Sequence, residues 1–271
     1  MPLVGVPFPG THESPASWLS RLALTQGATI KEVYSYLGIQ TKEDCDVVFT
    51  GHRLRRICQL TELPIGCFSF VQHMSVGVRQ VDKYGHELFL RHDGQPRYRF
   101  CSACLATSKF KLFPLHWRFK AWRWCPKHMS MMTDKCPHCK SLVLLPGELL
   151  TAGRKKEGVD HLAHCLTCAG KLTVNWRQTI GTFSFSLLTP WEEVVLKNGR
   201  ATLAALLHRK VRIEGNPAHF SLGGLRRVMK MGILPHDHFT LDHDEMLRRR
   251  SKAEELGMLL KQTQGVSETK C

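Results

Sequence analysis

The sequence predicts a mostly α-helical chain with small β elements, arranged in three parts, and three observations predict it. Well-capped amphipathic runs open the chain, closely paired cysteines fill its middle, and helix-start signals return in the last ninety residues. At 271 residues, two or three modest units are expected. Apolar residues at 43% and charged residues at 23% describe a folded globular chain rather than a disordered or collagenous one.

In the first part, Ser14-Pro15 reads as a cap followed by proline at the first helical position. It leads into Trp18, Leu19 and Leu22 on one face, with Gly27 closing a helix over about 15–26. Thr29 with Glu32 forms a capping-box pattern before Ile30, Val33, Tyr34 and Leu37, and Gly38 stops that run. A third pattern covers about 51–61, with Leu54, Ile57, Cys58 and Thr61 inward and Arg53, Arg55 and Arg56 largely outward. Pro64 then opens another turn. Short helices on brief loops suggest a helix-turn-helix-like unit within a domain over 1–95. Its three arginines read either as a solvated face or as nucleic-acid or partner contacts.

In the second part, over 96–180, seven of the eleven cysteines and one histidine form four successive pairs. These are Cys101-x-x-Cys104, Cys125-x-x-His128, Cys136-x-x-Cys139 and Cys165-x-x-Cys168. Two intervening residues let a tight turn aim both side chains at one ion while backbone amides donate to the sulfurs, and two such turns complete a tetrahedron. The pattern predicts two structural Zn2+ ions in tandem zinc ribbons, carried on short strands such as 112–124 and 171–175. Sequential pairing gives one site of Cys101, Cys104, Cys125 and His128 and another of Cys136, Cys139, Cys165 and Cys168. A cross-braced pairing of the same eight ligands stays open. His116, His138, His161 and His164 are alternative ligands that break the two-residue spacing, and Cys45, Cys58 and Cys67 read as buried, inert thiols. Residues 153–158 read as an exposed loop within the second ribbon.

The third part, over 181–271, reads as helical. Thr189-Pro190-Trp191-Glu192 repeats the capping box, and an apolar run covers Leu203–Leu207. Ser221 precedes a basic amphipathic pattern that sets Leu222, Leu225, Val228 and Met229 against Arg226, Arg227 and Lys230, which read as further nucleic-acid or partner contacts. Asp244 caps a last helix to about 260, and the tail 265–271 reads as disordered. No internal repeat appears beyond the paired ligands.

Lys and Arg number 38 against 23 Asp and Glu, a formal +15. Thiolates and zinc together remove one unit at the mixed site and two at the all-cysteine site, leaving about +12. Residues 97–140 hold ten of the basic residues and one acid, Asp134, so the ligand-bearing region is also the basic one. Such a surface suits a polyanion such as DNA or serves solubility. No apolar run is long enough for a transmembrane helix and no signal-peptide pattern opens the chain, so a cytoplasmic protein without membrane contact is expected. With every ligand position supplied by protein, no water nucleophile is expected on either zinc. The zinc deaminase order also fails, because His243-Asp244-Glu245 follows all the cysteine pairs. His236, Asp237, His238, Asp242 and His243 read as a polar loop and a helix cap. There is no phosphate-binding G-x-x-x-x-G-K-[ST].

Two stretches resemble the TniQ/TnsD family of transposon-encoded target-selection proteins. One is Pro7-Phe8-Pro9-Gly10 with Glu13 through Ala23, followed by Leu60-Thr61-Glu62-Leu63-Pro64, in which Glu62 stands where the family usually has glycine. The other is the ordered set Cys101-x-x-Cys104, His116-Trp117, Cys125-Pro126-Lys127-His128 and Cys136-Pro137-His138-Cys139. The resemblance implies a non-enzymatic adaptor in DNA transposition, some family members being dimers. It would link target recognition, by its own DNA binding or through an RNA-guided CRISPR effector, to an AAA+ ATPase that recruits the transposase. The competing expectation is a stand-alone DNA-binding transcription regulator.

Overall fold

The computed structural model describes residues 3–153, 158–173, 199–200, 202–212 and 219–222, and the chain divides into two compact units at 188/189. It is mostly helical, with small two-stranded antiparallel sheets. Among the described residues no helix is long and apolar enough to cross a membrane.

The first unit opens with α1 (Pro15–Thr25), where the Ser14 hydroxyl accepts from the Ser17 amide at 3.1 Å and buried Ala16, Trp18, Leu19 and Leu22 form the inner face. α2 (Ile30–Leu37) carries the complete capping box, Thr29 and Glu32 each accepting from the other's amide, and Gly38 ends it with a left-handed φ of +67°. A single turn, α3 (Cys45–Val48), is capped by Asp44. α4 (Gly51–Thr61) buries Leu54, Ile57, Cys58 and Thr61 as the periodicity requires. It ends at Glu62, whose φ of +56° is the left-handed conformation that favours glycine. Pro64 introduces a 3₁₀ turn, Ile65–Phe68, that runs into α5 (Ser69–Val81). Trp18, Phe49 and Phe68 meet edge to face with ring centroids 5.1–6.0 Å apart, forming the aromatic centre of these helices.

The chain then forms the hairpin β1 (Arg91–His92) and β2 (Gln95–Pro96), helix α6 (Ser102–Thr107), and the pair β3 (Trp124–Cys125) and β4 (Ser130–Met131). The expected strand over 112–124 is not formed. Pro114 sets up a 3₁₀ turn, Leu115–Arg118, that drives Leu115, Trp117 and Arg118 inward, and only Trp124 of that segment lies in a strand. The expected strand 171–175 is reduced to a single bridge of Lys171 with His164, and residues 174–175 lie outside the described residues.

The early helices and the cysteine-rich segment share a core. Arg118 is fully buried, donates to Asp44 at 2.7 and 2.8 Å and to Asp46 at 2.8 Å, and lies 4.5 Å over the Phe89 ring. Asp46 also accepts from the Tyr98 hydroxyl and from the Ala16 amide. Ser17 is clamped to Phe113, and the Gly147 amide donates to the Ser20 hydroxyl at 3.0 Å.

In the second unit, residues 199–200 and 202–208 are helical, over the predicted apolar run. The next element departs from the all-helical expectation: β5 (Lys210–Arg212) pairs antiparallel with β6 (His219–Ser221). The breakers Gly215-Asn216-Pro217 between two β-compatible runs are the overlooked hairpin signal. Ser221 therefore ends a strand, and of the predicted basic helix only Leu222 lies among the described residues. The capping box at 189–192, the helix after Asp244, the tail and the loop 154–157 lie outside the described residues.

Candidate metal centres

The fold brings the eight expected ligands into two groups of four, within each of which the ligand atoms all lie within 4.8 Å of one another. One is Cys101, Cys104, Cys125 and His128; the other is Cys136, Cys139, Cys165 and Cys168. The grouping is sequential, first pair with second and third with fourth, and not the cross-brace.

The elements that deliver them differ. Cys101 is the N-cap of α6 and Cys104 lies within its first turn, so the first pair sits on a helix start rather than the expected tight turn. Cys125 ends β3, and the turn to β4 carries His128 and a left-handed Met129 (φ +46°). The second centre repeats one turn twice. Cys136 donates its amide to the Ser141 carbonyl (2.9 Å) and accepts from the Lys140 amide (3.0 Å), with Lys140 at φ +62°. Cys165 does the same with Gly170 (2.9 Å) and Ala169 (2.8 Å), with Ala169 at φ +56°. In both turns an amide donates to the leading sulfur at 3.4 Å, from His138 to Cys136 and from Thr167 to Cys165. Such donors stabilise thiolates and hold them in place.

The donor set and its spacing fit zinc. A tetrahedron with Zn–S of about 2.3 Å and Zn–N of about 2.0–2.1 Å has S···S edges of about 3.75 Å and S···N edges of about 3.5 Å. At the mixed centre, His128 Nδ1 lies 3.5, 3.2 and 3.6 Å from the sulfurs of Cys101, Cys104 and Cys125, and Cys104 is 3.6 Å from Cys125. At the all-cysteine centre, Cys136–Cys168 and Cys139–Cys165 span 3.8 and 3.7 Å. Crowding divides the thiols' acidities. Hydrogen bonds from Cys104 and Cys125 hold Cys101 far below an ordinary thiol, and the same contact with Cys101 drives Cys104 far above one. Cys136 is pushed up to about 12, chiefly by burial. A bound dication is the chemistry that lets all the thiolates coexist.

Outer contacts escape a reading of spacing alone. Ser130 Oγ approaches Cys101 (3.8 Å), and Ser141 Oγ approaches Cys139 (2.9 Å) and Cys165 (3.5 Å). His138 is not among the clustered ligands: its Nε2 meets the Lys171 carbonyl at 3.1 Å and its ring covers Gly170. A Cβ at Gly170 would fall 2.5 Å from His138 Cδ2, which is why the turn ends on glycine there. His116 packs against the rings of His12 and Trp122, away from both centres.

Asp160, His161 and His164 form a third group, but its hydrogen bonding opposes metal. The Ala163 amide donates to His161 Nδ1 at 3.2 Å, which places the neutral ring's proton on Nε2, the nitrogen facing Asp160. Elsewhere, Cys45 and Cys58 are buried, whereas Cys67 is partly exposed and hydrogen-bonds to Cys58, a contact that raises the Cys67 thiol and lowers that of Cys58.

Of the expected contact residues, Arg53 is tied to Glu43 (2.5 Å), the Arg56 guanidinium lies about 3.8 Å from where a Cβ on Gly38 would sit, and Arg55 is exposed. Arg226, Arg227 and Lys230 lie outside the described residues.

No curated protein matches the chain. A family model, TniQ, matches residues 5–131, a stretch that runs from the segment before α1 through α5 to β4 and holds all four residues of the first centre but none of the second. The match gives the chain a TniQ domain over residues 5–131, which supports membership of the TniQ family and indicates a transposition-associated protein.

Proposed function

We propose that this chain is a non-enzymatic adaptor in DNA transposition that binds two structural Zn2+ ions. It links target recognition, by its own DNA binding or through an RNA-guided CRISPR effector, to an AAA+ ATPase that recruits the transposase. The observation that carries the reading is the first centre lying inside the TniQ match, with four protein ligands at tetrahedral spacing. Four protein ligands leave zinc no open position for a water or substrate, so its contribution is folding energy and rigidity. Cys101, Cys104, Cys125 and His128 would fix α6 to the β3–β4 turn, and Cys136, Cys139, Cys165 and Cys168 would join the two repeated turns as zinc ribbons. The α1–α5 helices would form the helix-turn-helix-like part, locked to the first ribbon through Arg118. Acting in the cytoplasm, as a monomer or a homodimer, the protein would present these rigid faces to its partners.

The test is capture of a candidate AAA+ transposition ATPase by the purified zinc-loaded protein, with and without DNA. Capture that depends on the ATPase's nucleotide state supports the adaptor. Tight, sequence-specific binding of a defined duplex with no ATPase capture would replace it with a stand-alone regulator.

A further inference from the structure

A cleft of about 540 Å³ lies between α3, the start of α4, the end of α5 and the segment after it. Lys42, Arg53, Arg79, Lys83 and Arg91 line it, against two acids, Glu43 and Asp44. Both acids are already engaged: Glu43 pairs with Arg53 at 2.5 Å, and Asp44, 6% exposed, pairs with the buried Arg118. Lys42, Arg79, Lys83 and Arg91 therefore have no acidic partner among the described residues. Two further features suit a phosphate. Arg79 donates to Thr50 Oγ1 at 3.0 Å, which holds its guanidinium at the start of α4. That helix start has no side-chain cap, and Gly51 there has open space on its Cβ side, so the first-turn amides stay available.

We propose that this cleft grips the phosphate backbone of duplex DNA. The proposal rests on the reading of the chain as one that works on DNA. It moves the contact surface from the outer face of α4, where Arg53 is paired with Glu43, to the concave side at that helix's start. The guanidinium groups of Arg79 and Arg91, the ammonium groups of Lys42 and Lys83 and the free helix-start amides match phosphate oxygens in geometry and sign. Cations gathered in a concavity also focus the field that draws a polyanion in. No base edge is addressed, so the grip is independent of sequence and steeply dependent on salt.

The experiment uses the full zinc-loaded chain and fluorescence anisotropy with a short labelled duplex of arbitrary sequence, titrated at several salt concentrations. Arg79→Ala/Lys83→Ala should weaken binding at least tenfold and flatten the salt slope by about two, since each lost phosphate contact removes about 0.9. Lys42→Ala/Lys83→Ala, which leaves the Thr50 contact intact, should act in the same direction. Circular dichroism and zinc content serve as controls for folding. Lys31→Ala/Lys109→Ala removes equal charge from exposed positions outside the cleft and should change little. Equal losses from cleft and control pairs, or no loss from the cleft pairs, would overturn the proposal. So would displacement of the duplex by an acidic peptide at lower concentration than by unlabelled duplex, which would make the cleft a protein-docking site. ATPase capture without DNA should survive the cleft variants, so a failed adaptor and a failed cleft give different results.

Discussion

Replacing Arg118 by Met should destabilise the first unit by about 3–5 kcal/mol, the cost of breaking a buried pair by removing one partner. The arginine has no exposed surface, and its guanidinium answers Asp44 and Asp46 with three hydrogen bonds of 2.7–2.8 Å plus one to the Leu90 carbonyl at 3.2 Å. Met fills much of the volume over Phe89 but leaves two carboxylates facing each other in an apolar setting. One of them, Asp46, is already biased toward protonation by burial, against the opposing pull of Arg118. A domain holds only about 5–15 kcal/mol in total, so the loss should be plain in urea unfolding followed by circular dichroism with zinc saturating. Arg118→Met with Asp44→Asn and Asp46→Asn should recover much of it, because the charges leave together. A single-variant loss below about 1 kcal/mol would refute the view that this ion cluster joins the helices to the cysteine-rich segment.

Cys136→Ser should lower bound zinc from two ions to one and abolish protection of 136–170 against proteolysis, and an unchanged zinc count would remove Cys136 from the ligand set. Gly170→Ala forces His138 aside and should loosen the second centre while sparing the first, measured as faster zinc transfer to a chelator from one site only; uniform transfer would contradict it. Glu62→Gly should stabilise the chain by about 0.5–1 kcal/mol, the relief of a left-handed non-glycine residue less the added freedom of the unfolded chain. A lower denaturation midpoint would show that the Glu62 side chain matters more than its backbone. Acidification should release zinc as protons compete for the thiolates and His128, and absorbance of a cobalt-substituted sample should fall together with helicity of the first unit.

The elements legible in the sequence are those whose signals are local. Ser14-Pro15, the Thr29–Glu32 box and Gly38 act within a few residues, and α1 and α2 begin and end where they direct. The C-x-x-C and C-x-x-H spacing likewise places two ligands on one turn or helix start, so the membership of each pair was readable. α5 was missed because it has no side-chain cap and is rich in valine, although Val71, Met74, Val78 and Val81 keep a helical period. The strand expected at 112–124 failed because an apolar aromatic run does not reveal that Arg118 must turn inward to reach Asp44 and Asp46, more than seventy residues away. The cleft was hidden for the same reason. Lys42, Arg79 and Arg91 are far apart in sequence, and only packing tells which arginines are already paired. The usual family glycine at position 62 has a plain cause: that residue ends α4 in a left-handed conformation.

The most direct test of the central claim is native mass spectrometry of the protein mixed with its candidate AAA+ ATPase. The account predicts a complex in which each copy of this chain carries two zinc ions and in which zinc removal abolishes assembly. A complex that forms equally well from chain stripped of zinc, or a zinc-loaded chain that never joins the ATPase, would contradict it.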